Sequence, residues 1–171
     1  MPGKLEFIKR VNGSAATSIS ITDVFSADFD VYKIVYHCVS DSGSPKGVNM
    51  RFIGGSGVIS TSNYDRAFLQ IESTGTGTEY KTVGGDTFTD ILGYVDITPE
   101  GCSGTIDVYN PFSSSVYTFM TQQSSVGWNN ARAAFKGSGA LKETTSCTGF
   151  QVYLTSTNLV ADSKFLVYGV S

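Results

Sequence analysis

The residues of this chain that are capable of covalent chemistry are few and widely spaced. The only histidine is His37, and the three cysteines are Cys38, Cys102 and Cys147. Nucleophilic catalysis needs a serine or cysteine beside a base, which is usually histidine. His37 lies inside an alternating apolar run, and the sequence contains no GxSxG elbow. We therefore interpret His37 as a residue on one face of a strand and expect no catalytic triad.

The same four side chains define the zinc site that the sequence could offer. Three thiolates and one imidazole are a common ligand set, but no CxxC pair is present. His37 and Cys38 are neighbours in a strand and therefore point to opposite faces. An odd number of widely spaced cysteines is also a poor disulfide framework. The sequence predicts buried or half-buried free thiols, no metal and no cofactor.

Paired carboxylates are a second source of chemistry, because glycosidases need two of them at a defined separation. The nearest approach to such a pair is Asp86 and Asp90, in the segment GGDTFTDILGYVD. We interpret both as turn and strand-edge carboxylates. The sequence thus favours a protein that is not an enzyme, with glycoside cleavage kept as an alternative.

Two clusters of aromatic and amide side chains are suited to binding. In the first, one flat aromatic ring stands beside amide donors and acceptors, which is typical of a sugar-stacking site. The second is a YNPF turn that would project aromatic surface from a strand end. The other interpretation of both clusters is packing over a strand edge or against a sister subunit. Their members are Trp128, Asn129, Asn130 and Arg132 in the first cluster, and Tyr109, Asn110 and Phe112 in the second.

The elements that position these side chains are strands. In FDVYKIVYHCV the apolar and polar residues alternate, so that Tyr32, Ile34 and Cys38 share one face while Lys33 and His37 share the other. The final run KFLVYGV is apolar on both faces, which predicts an interior strand. A stretch with mixed periodicity, NYDRAFLQIES, is assigned as a strand because its surroundings are strands. Similar alternation occurs in GTIDVYN, VYTFMT and FQVYL.

Glycine- and serine-rich turns separate these runs, and only 16% of the residues are charged. This pattern predicts an all-β fold, specifically one antiparallel two-sheet jelly-roll sandwich of about eight to ten strands that spans residues 1–171. In such a sandwich we expect the first and last strands to lie inside the sheets.

Charge and hydropathy exclude two classes of partner. The formal net charge is −3, and lysine and arginine are scattered, so the sequence predicts no nucleic-acid binding. No apolar run approaches the roughly 20 residues that span a bilayer, and the N-terminal MPGKLEFIKRVNG lacks a hydrophobic signal segment. We expect a protein made in the cytoplasm that has no membrane partner.

The order of the segments resembles a known family. TDVFSADFDVYKIVYH is followed by MRFIGGSGVISTSNYDRA, GTIDVYNPFSSSVYT, TGFQVYL and the closing KFLVYGV. This order is similar to that of the short jelly-roll virion proteins of tailed bacteriophages, especially marine and cyanobacterial phages. The resemblance spans residues 5–170 and includes no catalytic motif. It implies a non-enzymatic virion part, in capsid decoration, baseplate or tail fibre, that is assembled in the bacterial host cytoplasm and is often trimeric.

The expected partners follow from these observations. If Ile106 and Val152 point into the core, then Tyr109 and Tyr153 point outward, where tyrosine is suited to an interface. We expect a homo-oligomer, with three-fold symmetry implied by the resemblance alone, in contact with other virion proteins. The alternative function is a carbohydrate-binding module that recognises a glycan on the host surface.

Overall fold

The computed structural model describes residues 4–75, 77–97, 100–128 and 131–171, apart from the side chains of Trp128 and Ala131. The described residues form strands and no helix. The strands are β1 (Leu5–Asn12), β2 (Ser18–Ile21), β3 (Val31–Cys38), β4 (Lys46–Gly47), β5 (Asn49–Gly54), β6 (Gly57–Val58), β7 (Tyr64–Glu72), β8 (Gly77–Gly85), β9 (Tyr94–Val95), β10 (Gly101–Tyr109), β11 (Thr118–Trp128), β12 (Ala131–Leu141), β13 (Cys147–Tyr153) and β14 (Lys164–Val170).

One large antiparallel sheet dominates the fold. Its eight strands follow the order β1-β14-β3-β10-β11-β12-β7-β8. A second sheet has four strands in the order β2-β13-β5-β6, and β4 pairs with β9 in a two-stranded ribbon. The architecture is all-β and consistent with a β-sandwich.

The core lies between the two sheets and is rich in aromatic rings. Phe25, in the connection between β2 and β3, has its ring centroid 4.8 Å from Tyr32 in the large sheet and 6.0 Å from Phe150 in the small one. The hydroxyl of Tyr64 accepts a hydrogen bond of 3.0 Å from the backbone N–H of Phe52, which joins β7 to β5. Each sheet therefore buries one face against the other, and the opposite face of the large sheet remains outside.

Most of the sequence-based expectations about individual strands are confirmed. The inward-facing members of FDVYKIVYHCV, which are Tyr32, Ile34, Tyr36 and Cys38, are buried, while Lys33 and His37 lie on the other face together with the half-buried Val31 and the exposed Val35. The ambiguous stretch is the strand β7, and the closing run is the interior strand β14, which pairs with β1 on one side and β3 on the other. The three cysteines are buried free thiols.

Two expectations need correction. The first strand, β1, lies at an edge of the large sheet and not inside it, because β14 occupies the position next to β3. The described strands number fourteen rather than about eight to ten, and three of them, β4, β6 and β9, are two-residue strands in the connections. Such short pairings have no alternating pattern long enough to be read from sequence.

Candidate functional site

A continuous line of apolar side chains crosses the outer face of the large sheet. Residues directly opposite each other in neighbouring strands share a face, and the pairing places one such line across β1, β14, β3, β10, β11 and β12. Leu5 is 52% exposed and Phe119 is 48% exposed, and the other members are half-buried. We call this line the apolar row. Its members are Leu5, Val170, Val31, Tyr109, Phe119 and Ala140.

The next line of outward residues contains a second aromatic pair and a neutralised charge. Phe7, which is 57% exposed, contacts Tyr168 edge-on with 5.7 Å between the ring centroids. Further along the same line, the ammonium group of Lys33 lies 2.6 Å from the carboxylate of Asp107. The surface beside the apolar row therefore carries little net charge.

A shallow groove of about 470 Å³ lies where the apolar row reaches β11, β12, β7 and β8. Its lining combines the small side chains of Ala67, Ser138 and Ala140 with the exposed Phe119 and Val83. Tyr109 and Thr121 also line it. The groove thus offers aromatic and small apolar surface with hydroxyl groups nearby.

The predicted YNPF turn follows β10 directly. Asn110 has a left-handed φ of 54°, and its N–H donates a 2.7 Å hydrogen bond to the carbonyl of Asp30. Phe112 is 36% exposed and lines a separate depression together with Phe29 and Asp30. Tyr109 belongs to the apolar row and Phe112 to the separate depression, so the turn presents aromatic surface at two places.

The cluster around Trp128 lies at the other end of the sheet. Gly101 pairs with Gly127, and Tyr109 with Phe119, so the two ends of β10 are about 25 Å apart. Arg132 is exposed there and contacts the carboxylate of Glu100 at 3.2 Å. Asn129, Asn130 and the side chain of Trp128 lie outside the described residues.

Tyr153 belongs to the small sheet and to a different surface. The guanidinium carbon of Arg51 stands 4.8 Å from the centre of the Tyr153 ring, and Arg51 also contacts the carboxylate of Asp86 at 3.1 Å. The structure therefore does not bring Tyr153, Arg132 and Tyr109 together. Sequence analysis correctly expected Tyr109 and Tyr153 to face outward, but it had no means of finding which outward residues share a face.

The carboxylates considered for glycoside cleavage have different surroundings. Asp86 is an exposed partner of Arg51. Asp90 is half-buried, and burial raises its pKa while the charge of Arg66 acts in the opposite direction. Burial also raises the pKa of the neighbouring Tyr94 to about 12. Asp86 thus serves an exterior ion pair, whereas Asp90 belongs to a partly buried polar cluster.

Sequence analysis missed one polar contact on the outer face. Nδ1 of His37 lies 2.8 Å from the hydroxyl oxygen of Ser103, across the pairing of β3 with β10. Both residues line a depression that Glu100 and Arg132 also line. The contact joins residues 66 positions apart and depends on strand pairing, so local spacing gave no sign of it.

In the parts of the chain that the structure describes, no group of three or more His, Cys, Asp or Glu side chains is arranged to hold a metal ion. None of the described residues forms a helix of the length and apolar character needed to cross a membrane.

Comparisons with protein-family models, with curated proteins and with solved structures found no match to this chain.

Proposed function

We propose that this protein is a non-catalytic structural subunit that assembles through protein–protein contacts, with the outer face of its large sheet packed against a second copy of the same chain. The observation that carries the proposal is the apolar row. Single exposed apolar side chains are ordinary on protein surfaces, whereas contiguous apolar patches mark interaction sites. Here the line is unbroken across six neighbouring strands.

The edges of the large sheet favour contact through its face. Open edge strands can pair with other chains, and charged residues and β-bulges discourage this. The edge strand β1 carries Lys9 and Arg10, and its register shifts between Phe7 and Lys9. The opposite edge strand, β8, carries Glu79 and Lys81. Both edges therefore resist strand addition, and the apolar side chains are covered by packing face to face.

Charge and area favour a second copy as the occupant. Lys33 is neutralised by Asp107, and Asp65, at the end of the row, lies 3.0 Å from the Lys142 ammonium group. These charges beside the row are therefore paired within one chain, and a second apolar row matches the first. Eight strands spaced about 4.8 Å apart and about 30 Å long give a face of roughly 1,000 Å². Two such faces would bury about 2,000 Å² or slightly more in total, at or above the upper end of the range of standard interfaces, about 1,200–2,000 Å².

The setting that we propose is the virion of a tailed bacteriophage, in capsid decoration, baseplate or tail fibre, with jelly-roll topology. Packing of two identical faces gives a dimer, so the trimer that the resemblance implies would require a head-to-tail contact between different surfaces. The support for this setting is the resemblance in the order of segments from residue 5 to residue 170. The sandwich-like pair of sheets is compatible with it. Other virion proteins would then contact the surfaces that the oligomer leaves exposed.

Sedimentation velocity of the purified chain tests the assembly. We expect a species of two or more times 18.2 kDa at micromolar concentration. A single species of 18.2 kDa throughout that range would contradict the proposal. Electron microscopy of phage particles labelled with an antibody against this chain tests the setting, and labelling at a fixed position on head or tail is expected.

The groove beside Phe119 favours a second candidate function, the recognition of a host-surface glycan. Aromatic rings with nearby hydroxyl groups are common where proteins stack against sugars, and Tyr109, Phe119 and Thr121 all line this groove. A glycan array with the wild-type protein and the Phe119→Ala variant tests it. Binding that the substitution abolishes would support this function, while an array without any hit would leave self-assembly as the role of the surface.

A further inference from the structure

Two cysteines that are distant in sequence lie directly opposite each other in the large sheet. Cys38 is the last residue of β3, Cys102 is the second residue of β10, and the two are partners in the register. Both side chains point to the inner face, where Cys38 is 0% exposed and Cys102 is 1% exposed. The strand pairing thus places together two thiols that sequence spacing gave no reason to pair.

We propose that Cys38 and Cys102 are a modification site, at which a peroxide oxidant converts the two free thiols into an intramolecular disulfide. Directly opposite residues of antiparallel strands have Cα atoms about 4.5–5.5 Å apart, and disulfides span Cα distances of about 4.4–6.8 Å. The backbone therefore already has a separation that a disulfide requires. This proposal does not depend on the proposed assembly, because both thiols lie inside a single chain.

Cys147 is not part of this site. It lies in β13 of the small sheet, where its sulfur is 4.0 Å from the Thr118 hydroxyl and 3.7 Å from the carbonyl oxygen of Thr145. It pairs in register with Gly54 rather than with a cysteine. The third thiol accordingly stays reduced when the other two are oxidised, and it serves as an internal control.

The chemistry balances with hydrogen peroxide as the oxidant. One thiolate attacks the peroxide to give a sulfenic acid and water, and the second thiol then displaces a further water to form the S–S bond. The two cysteines together lose two electrons and two protons, and the peroxide is reduced to two molecules of water.

The reaction in the folded protein is slow. Burial, together with the neighbouring Cys102 thiol, raises the pKa of Cys38 well above its usual value, so that little reactive thiolate is present. Both residues are close to strand ends, where local opening needs least disruption. Oxidation therefore proceeds through opening of these strand ends, and its rate rises with temperature.

The test uses the full chain, purified with reductant and then incubated with hydrogen peroxide for several hours. We expect a loss of about 2 Da from the intact mass, a Cys38–Cys102 linked peptide after non-reducing digestion, and a melting temperature raised by roughly 5–10 °C that returns to its original value on reduction. The Cys147→Ser variant should behave like the wild type, and Cys102→Ser should show no loss of mass and no thermal shift.

Three outcomes would overturn the proposal. One is a linked peptide that contains Cys147. Another is oxidation of separate cysteines, seen as gains of about 32 or 48 Da. The third is a native protein whose thiols remain reduced after prolonged exposure at a temperature that opens the strand ends but leaves the fold intact. A monomeric protein that forms the expected linkage would contradict the proposed assembly while supporting this site.

Discussion

Replacing Gln122 with methionine should stabilise the protein. Gln122 lies in β11 and points into the core, where it is only 3% exposed. Neither its side-chain nitrogen nor its side-chain oxygen has a hydrogen-bond partner among the described residues. A buried amide without partners costs about 1–3 kcal/mol, and methionine has a similar volume without that cost. We therefore expect the Gln122→Met variant to gain roughly 1–3 kcal/mol in the free energy of unfolding.

Urea denaturation measures this gain as a higher midpoint with an unchanged slope. The matched control is Gln123→Met, because Gln123 is the next residue in the same strand but is exposed on the outer face. The control should change stability by no more than about 0.5 kcal/mol. A Gln122→Met variant that is less stable than the wild type would refute the reasoning, since it would mean that the amide is well satisfied in the folded protein.

Three further predictions concern stability. Ser163→Ala should lose about 1–3 kcal/mol in urea denaturation, because the fully buried Ser163 hydroxyl donates to the carbonyl of Val39 and accepts from its N–H, both at 3.0 Å. A protein without residues 167–171 should be insoluble, because the deletion removes four of the seven register pairs of β14 with β1 and four of the seven with β3. A soluble truncated protein with a sharp thermal transition would disprove this. Hydrogen bonds, chiefly from the Thr157 hydroxyl, lower the pKa of Asp41 to about 2. The stability difference between wild type and Asp41→Asn should therefore be constant above about pH 4 and should close as the pH falls toward 2. A difference that stays constant down to pH 2 would argue against this contribution.

The faces of individual strands were largely predictable from sequence, because burial on one side of a strand imposes a period of two. Ile106 and Val108 are buried and Tyr109 faces outward, as their alternation indicates. The period of two also holds in β11, but side-chain polarity does not show there which side is buried, because Thr118 and Met120 are buried and Phe119 is 48% exposed. Pairing with β10 decides this orientation, since Met120 stands opposite the buried Val108 and Phe119 opposite Tyr109.

The apolar row could not have been predicted from local patterns. Its residues come from six strands that range from the first to the last of the chain, and only the strand order places them side by side. The same holds for the opposition of Cys38 and Cys102, which depends on the register of β3 with β10. Local spacing reports which side of a strand is buried, whereas shared surfaces arise from long-range pairing.

The central claim is that copies of this chain assemble through the apolar row, and the most direct test compares two lysine substitutions by light scattering after size-exclusion chromatography. Phe119→Lys places a charge in the row, and Val58→Lys places one at an apolar residue that is 38% exposed in β6 of the small sheet, away from the proposed interface. Both side chains already contact solvent, so both variants should fold. We predict that the wild type and Val58→Lys are oligomers at micromolar concentration and that Phe119→Lys has the monomer mass of 18.2 kDa. A wild type with that monomer mass, or a Phe119→Lys variant that stays as oligomeric as the wild type, would contradict the claim.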